Sequence, residues 1–251
     1  MLTVLWSTPR TGSTSYSLHL INQLSDTNKE VIFLRQYLNE FHLRSYFKRD
    51  DPDLLYNHEP YAYYLEYYLD SLSKKIKTKN VFNKRWRNLE QEENYRIELL
   101  QKHNLKKYPI LIHQHVSPMS IKAYSFLRST ATKNIFLYRE NFVDQLSSYA
   151  LAMHTKIFRK QGPNHNVPVL KDVTVDKQLL INLADRIKNF YTYDKTGAEI
   201  IKYEDIDFKN LKTSEKLNVV PPFDQLSVQT KLDILELKED FENFKLQNKN
   251  S

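Results

Sequence analysis

Residues 3–15 read Thr3-Val4-Leu5-Trp6-Ser7-Thr8-Pro9-Arg10-Thr11-Gly12-Ser13-Thr14-Ser15, and this stretch decides the fold. An apolar run stops at a polar turn containing Pro9 and Gly12, and hydroxyl residues then open an amphipathic pattern to about residue 25. The order is strand, tight turn, helix N-terminus. Unpaired backbone N–H groups at such a terminus, with the positive end of the helix dipole, form an anion site. Ser13 and Thr14 add hydroxyl donors, and Arg10 adds a fixed charge with a planar fork of donors. Gly12, one of only three glycines in the chain, permits a positive φ or a close backbone approach. The first glycine and the Gly-Lys pair of an ATP-binding P-loop are both missing, so no lysine reaches for the terminal phosphates of ATP.

Outward from this turn, short β-branched or aromatic runs alternate with longer amphipathic stretches. Strands are predicted at Thr3–Ser7, Val31–Arg35, Pro109–His113, Asn134–Tyr138 and Glu199–Lys202. Helical patterns fall at about 13–25, 60–77, 88–104, 118–130, 141–157, 176–195 and 226–246. Alternation of this kind predicts a three-layer α/β fold, with a mostly parallel five-stranded central sheet flanked by helices. A single domain over 1–251 is expected, with 40–108 a helical insertion shaping an acceptor pocket and 207–251 a C-terminal helical tail. In the insertion, Tyr61, Leu65, Tyr68, Leu72 and Ile76 form an apolar stripe, and Gln161–Val175 reads as a long surface loop that could serve as a lid.

At 251 residues, with 41% hydrophobic and 27% charged residues, the composition is that of a globular chain able to build a core. The absence of cysteine excludes disulfides, thiol catalysis and cysteine-ligated zinc. No secretory leader and no apolar run of membrane-spanning length is visible, so a cytoplasmic protein is expected. A formal charge of +7 points to an anionic partner: a nucleotide, a nucleic acid or an acidic surface.

A second informative segment is Asn134-Ile135-Phe136-Leu137-Tyr138-Arg139-Glu140-Asn141-Phe142-Val143-Asp144-Gln145-Leu146-Ser147. A strand ends in Arg139, and Ser147 follows on the next helix, a pairing that suits a phosphate monoester. The competing reading pairs Arg139 with Asp144 or Glu140 at a solvated helix start. The fifth strand closes on Tyr203-Glu204-Asp205.

Together these segments resemble the family of sulfotransferases dependent on 3′-phosphoadenosine 5′-phosphosulfate (PAPS). Pro9-Arg10-Thr11-Gly12-Ser13-Thr14 is similar to its 5′-phosphosulfate loop. Arg139 with seven residues before Ser147 resembles its 3′-phosphate site, and Tyr203-Glu204-Asp205 resembles the close of its last core strand. The resemblance implies a P-loop NTPase-like fold and in-line sulfuryl transfer from PAPS to a hydroxyl or amine, with 3′,5′-adenosine bisphosphate (PAP) as product. It also implies a small-molecule or glycan acceptor, no metal and no nucleic-acid partner, with Tyr203 near the adenine and Arg10 acting in both binding and catalysis.

In-line displacement needs a base for the acceptor and cations for the leaving oxygens. Glu40, in Tyr37-Leu38-Asn39-Glu40-Phe41, resembles the carboxylate base of the bacterial sulfolipid branch. His115, in His113-Gln114-His115-Val116-Ser117-Pro118, resembles the histidine of the cytosolic branch, with His113 in place of its lysine and the proline one residue late. Glu40 ranks first and His115 second. Alternating on an extended segment, His113 and His115 share a face and raise a metal pair as a further reading, although no third ligand is marked. Arg159-Lys160-Gln161-Gly162 has the composition of the family's basic 3′-phosphate segment but precedes the fifth strand, so that role is not carried over. Two other functions are weighed: an ATP-dependent small-molecule kinase, against which the missing Gly-Lys argues, and a nucleic-acid module using Lys84-Arg85-Trp86-Arg87.

Overall fold

β1 (Leu2–Ser7) is buried at every position, as expected of a strand with neighbours on both edges and helices on both faces. In this computed structural model, which describes residues 1–25, 31–38, 89–102, 109–116, 119–155, 169–207 and 221–248, β1 lies in a five-stranded sheet of order β2-β3-β1-β4-β5. The other strands are β2 (Ile32–Arg35), β3 (Ile110–His115), β4 (Lys133–Tyr138) and β5 (Glu199–Lys202). All are parallel, and helices cover both sides of the sheet, so the three-layer α/β architecture expected from the alternating pattern is the one observed. The helices are α1 (Ser13–Ser25), α2 (Leu89–Lys102), α3 (Ile121–Thr130), α4 (Phe142–Thr155), α5 (Lys177–Thr192) and α6 (Val228–Asn248). The helical pattern predicted at 60–77, the basic segments at 84–87 and 159–160, and most of the 161–175 loop lie outside the described residues.

The chain forms two compact units whose segments interleave in sequence. The first comprises Met1–Ser7, Tyr16–Phe136 and Gly197–Ile200. At its centre Trp6 is fully buried, stacked on Phe136 at 5.8 Å between ring centroids and tilted against Tyr124 at 5.0 Å. A buried indole needs a partner for its N–H, and Trp6 Nε1 donates to Asn134 Oδ1 at 2.9 Å. Ser120 caps α3 by accepting from Ala123 N, and its hydroxyl donates to the buried Glu93 carboxylate, tying α2 to α3.

The second unit comprises Thr8–Ser15, Leu137–Thr196 and Ile201–Ser251. Its core joins Leu146, Tyr149 and Ala150 of α4, Leu180, Leu183 and Ile187 of α5, and Ile234, Leu237 and Phe241 of α6. Phe142 stacks on Phe241 at 4.4 Å. The helix expected in a C-terminal tail is thus part of this unit's core, although Val228, Leu232 and Leu235 on its other side are exposed.

The strand order has one functional consequence. The connection leaving β1 leads to β2 on one side of it, and the connection leaving β4 leads to β5 on the other. The carboxyl ends of neighbouring β1 and β4 are therefore the topological switch point, where open α/β sheets bind ligands. The two segments predicted to bind phosphate, 8–14 and 139–147, follow directly on those two strands.

Candidate functional site

The turn after β1 is built on an unusual backbone. Gly12 has φ 68°, one of the two uses the sequence allowed it, and Arg10 has φ 66°. A left-handed non-glycine residue is uncommon and strained, and it persists only where its surroundings over-determine it. Here the surroundings come from α4. Gln145, itself buried, donates from Nε2 to Thr8 Oγ1 at 2.6 Å and to the Pro9 carbonyl at 2.8 Å. Arg10 Nε donates to Ser148 Oγ at 2.8 Å, and Thr11 Oγ1 donates to the Thr8 carbonyl at 2.9 Å. Left-handed residues thus stand at positions 10 and 12, on either side of Thr11. Ser13 starts α1 buried at the base of this turn, whereas Thr14 is exposed.

Arg139 lies just past the end of β4, with its side chain mostly buried. Its Nη2 donates to Asp144 Oδ2 at 3.2 Å, the pairing weighed as the plain alternative, and its guanidinium lies 4.6 Å from the centre of the Tyr203 ring. Its Nε is buried and has no hydrogen-bond partner. Ser147 Oγ, fully buried one turn along α4, likewise has none. A buried polar group left unmade costs about 1–3 kcal/mol, so both donors are open to an acceptor. Arg139 therefore makes the plain ion pair and keeps an unused donor as well.

Glu204 completes this segment in a way the sequence did not suggest. Its carboxylate accepts from the backbone N–H groups of Glu140 and Asn141, both at 3.0 Å, and so caps the approach to α4 from the end of β5. Burial pulls the Glu204 carboxyl upward, but those backbone donors and the nearby Arg139 charge outweigh it and leave the group below its ordinary value of 4.5. A depressed carboxyl contributes stability above the unfolded value and loses it as pH falls through the native one. Glu204→Gln is accordingly expected to lower the melting temperature at pH 7, by an amount that shrinks as the pH is taken down below the unfolded carboxylate value. A loss that stays constant until the protein unfolds in acid would show that the charge is immaterial.

In the first unit, β3 runs two residues beyond its predicted end and carries both histidines. His113 is fully buried, and its Nε2 lies 3.0 Å from Ser7 Oγ. His115 is half-buried, its ring edge-on to His113 at 5.3 Å. The extension pairs with β1, Trp6 opposite Gln114 and Ser7 opposite His115, and on its other edge Gln36, left-handed at φ 53°, donates its N–H to the His113 carbonyl at 2.7 Å and accepts at its side-chain Oε1 from His115 N at 2.9 Å. Gln114 answers from the opposite strand by accepting from Leu38 N at 3.1 Å. No group of three or more metal-ligating side chains occurs among the described residues. Glu40 lies outside them.

No family model matches the chain, and no curated protein matches it. Among solved structures, a chain from the molecular and structural characterization of the PezAT chromosomal toxin-antitoxin system of Streptococcus pneumoniae aligns at 13% identity. The alignment covers 98% of this chain and 87% of that one with a TM-score of 0.26, at which the likeness carries no argument.

Of the residues singled out by sequence, Pro9, Arg10, Thr11, Gly12, Ser13, Thr14, Arg139, Ser147 and Tyr203 all fall in the second unit, and His115 falls in the first. Within the second unit α4 links the two predicted phosphate segments: Gln145 and Ser148 hold the 8–10 turn, and Ser147 lies between them. Gln145, Ser148 and Glu204 are the participants that sequence reasoning missed. Among the described residues no helix is long and apolar enough to cross a membrane.

Proposed function

We propose that this chain is a sulfotransferase that moves the sulfuryl group of PAPS to a hydroxyl or amine of a small-molecule or glycan acceptor. The observation that carries this reading is the pair of buried, unpartnered donors, Arg139 Nε and Ser147 Oγ, on the segment that also pins the left-handed turn at Arg10 and Gly12. A bound PAPS would supply an activated sulfuryl group on a phosphate leaving group. Arg139 and Ser147 suit the 3′-phosphate, since each has a hydrogen to give to a phosphate oxygen. The backbone of 9–12 and the head of α1 suit the 5′ anion, with Arg10 set by its bond to Ser148. Charge that develops on the leaving oxygen would meet donors already in place, the arrangement that lowers the barrier of a transfer between anions. Tyr203 packs its ring against the Arg139 guanidinium, and the family resemblance puts it near the adenine. A base is assigned to Glu40 first and His115 second, and the cytoplasm is the compartment this reading expects.

The test is thermal unfolding with PAP, adenosine 5′-monophosphate and ATP. A ligand of the native state raises the melting temperature, and PAP is expected to raise it well above the monophosphate because only PAP meets Arg139 and Ser147. Equal shifts from PAP and the monophosphate would remove the 3′-site assignment. A shift from ATP with none from PAP would turn the reading to the kinase.

A further inference from the structure

Three residues of one α4 turn serve two ends of the site. Gln145 and Ser148 hold Thr8, Pro9 and Arg10, while Ser147, between them, buries a hydroxyl without a partner. The 8–10 turn keeps a strained Arg10 backbone, so it depends on what restrains it, and Gln145 and Ser148 of α4 hold it from outside the turn. The start of α4 is in turn fixed by the Glu204 carboxylate at the Glu140 and Asn141 N–H groups and by the Arg139–Asp144 pair.

We propose that Gln145 and Ser148 are positioning residues that couple recognition of the two anionic ends of a single nucleotide. An acceptor group seated on Ser147 and Arg139 satisfies donors that are otherwise unmet, and so stabilises the one arrangement of this turn in which Gln145 and Ser148 also hold Thr8, Pro9 and Arg10. Occupation of the 5′ turn, by linkage, must strengthen the 3′ site by the same factor. The ligand class follows from this geometry: a nucleotide carrying separate 3′ and 5′ anionic groups is favoured over one carrying either alone by more than the added contacts provide. This inference rests on the nucleotide reading of the site and goes beyond it by assigning roles to two side chains that need touch no ligand.

The test compares the dissociation constants of PAP and adenosine 5′-monophosphate, measured by calorimetry, in the parent, Ser148→Ala and Gln145→Ala. Their ratio reports what the 3′-phosphate adds. Neither substitution removes Arg139 or Ser147, so a merely structural role weakens both ligands alike and leaves the ratio unchanged. Coupling predicts that the ratio falls by about fivefold or more in both variants, the usual scale of linkage between sites. Ser148→Ala removes only a hydroxyl from a helix and keeps the test open if Gln145→Ala fails to fold. An unchanged ratio in Ser148→Ala overturns the proposal. A parent that binds neither ligand overturns the nucleotide reading, and a parent that binds both equally overturns the 3′ site.

Discussion

Arg139→Ala is expected to weaken PAP binding by about 1.5–3 kcal/mol, roughly tenfold to a hundredfold, the range for hydrogen bonds to charged groups. The residue is held for such a role: Asp144 takes one guanidinium nitrogen, the Tyr203 ring supports its face, and Nε remains buried without a partner. Removal should leave the fold in place, because the Asp144 partner is about one-third exposed and can be solvated, although the mostly buried Arg139 also gives up its contact with the Tyr203 ring and some stability with it. Circular dichroism should therefore stay native while calorimetry records the lost affinity. Arg139→Lys keeps the charge but not the planar fork and should recover only part of it. Arg10→Ala is expected to lose a similar amount, but it also leaves a left-handed alanine in the turn. Arg10→Gly separates the two effects, since glycine adopts that backbone freely and loses only the side chain. A variant of either arginine that binds PAP as the parent does removes its residue from the phosphates.

The central strands were legible because they are buried on both faces and read as apolar runs; β5, from Glu199 to Lys202, is largely exposed yet falls where the sequence put it. The end of β3 was not legible. Gln114 and His115 break the apolar run, yet the strand continues along β1 as far as Ser7, and on its other edge a side-chain oxygen of Gln36 stands in for a main-chain acceptor of the His115 N–H. No local pattern encodes that exchange between residues so far apart in the chain. In the turn after β1, the sequence allowed Gly12 a positive φ or a close backbone approach but gave no sign of the left-handed Arg10, since a strained arginine depends on tertiary restraints. Arg139 and Ser147 stood out by their spacing, one at a strand end and one on the next helix, and the structure leaves a buried donor without a partner on each. Gln145, Ser148 and Glu204 did not stand out, because each acquires its role only when distant segments meet: Gln145 reaches Thr8, Ser148 reaches Arg10, and Glu204 reaches back to Glu140. Helix α6 shows the same limit in packing. Apolar residues on its exposed side blur the stripe formed by Ile234, Leu237 and Phe241, so its length was readable and its buried face was not.

The proton is the remaining part of the chemistry. If Glu40 takes it from the acceptor, Glu40→Gln should keep PAP affinity while turnover falls by about 10² to 10⁴, the range for loss of a general base. His115→Ala should then lower turnover much less. The structure makes His115 a demanding comparison: its main chain is fixed by Gln36, and its ring lies edge-on to a His113 that is itself held at Ser7. A histidine so restrained is well placed for a base or for a purely structural role, and turnover measured at constant PAP affinity separates the two. Release of PAP from PAPS into water supplies a first assay, and a true acceptor supplies the second. A large loss in His115→Ala with little in Glu40→Gln would move the role to His115 and align the chain with the cytosolic branch it resembles. Full turnover in both variants with a true acceptor would place the base on neither strand end, and the assignment of both residues would then be wrong.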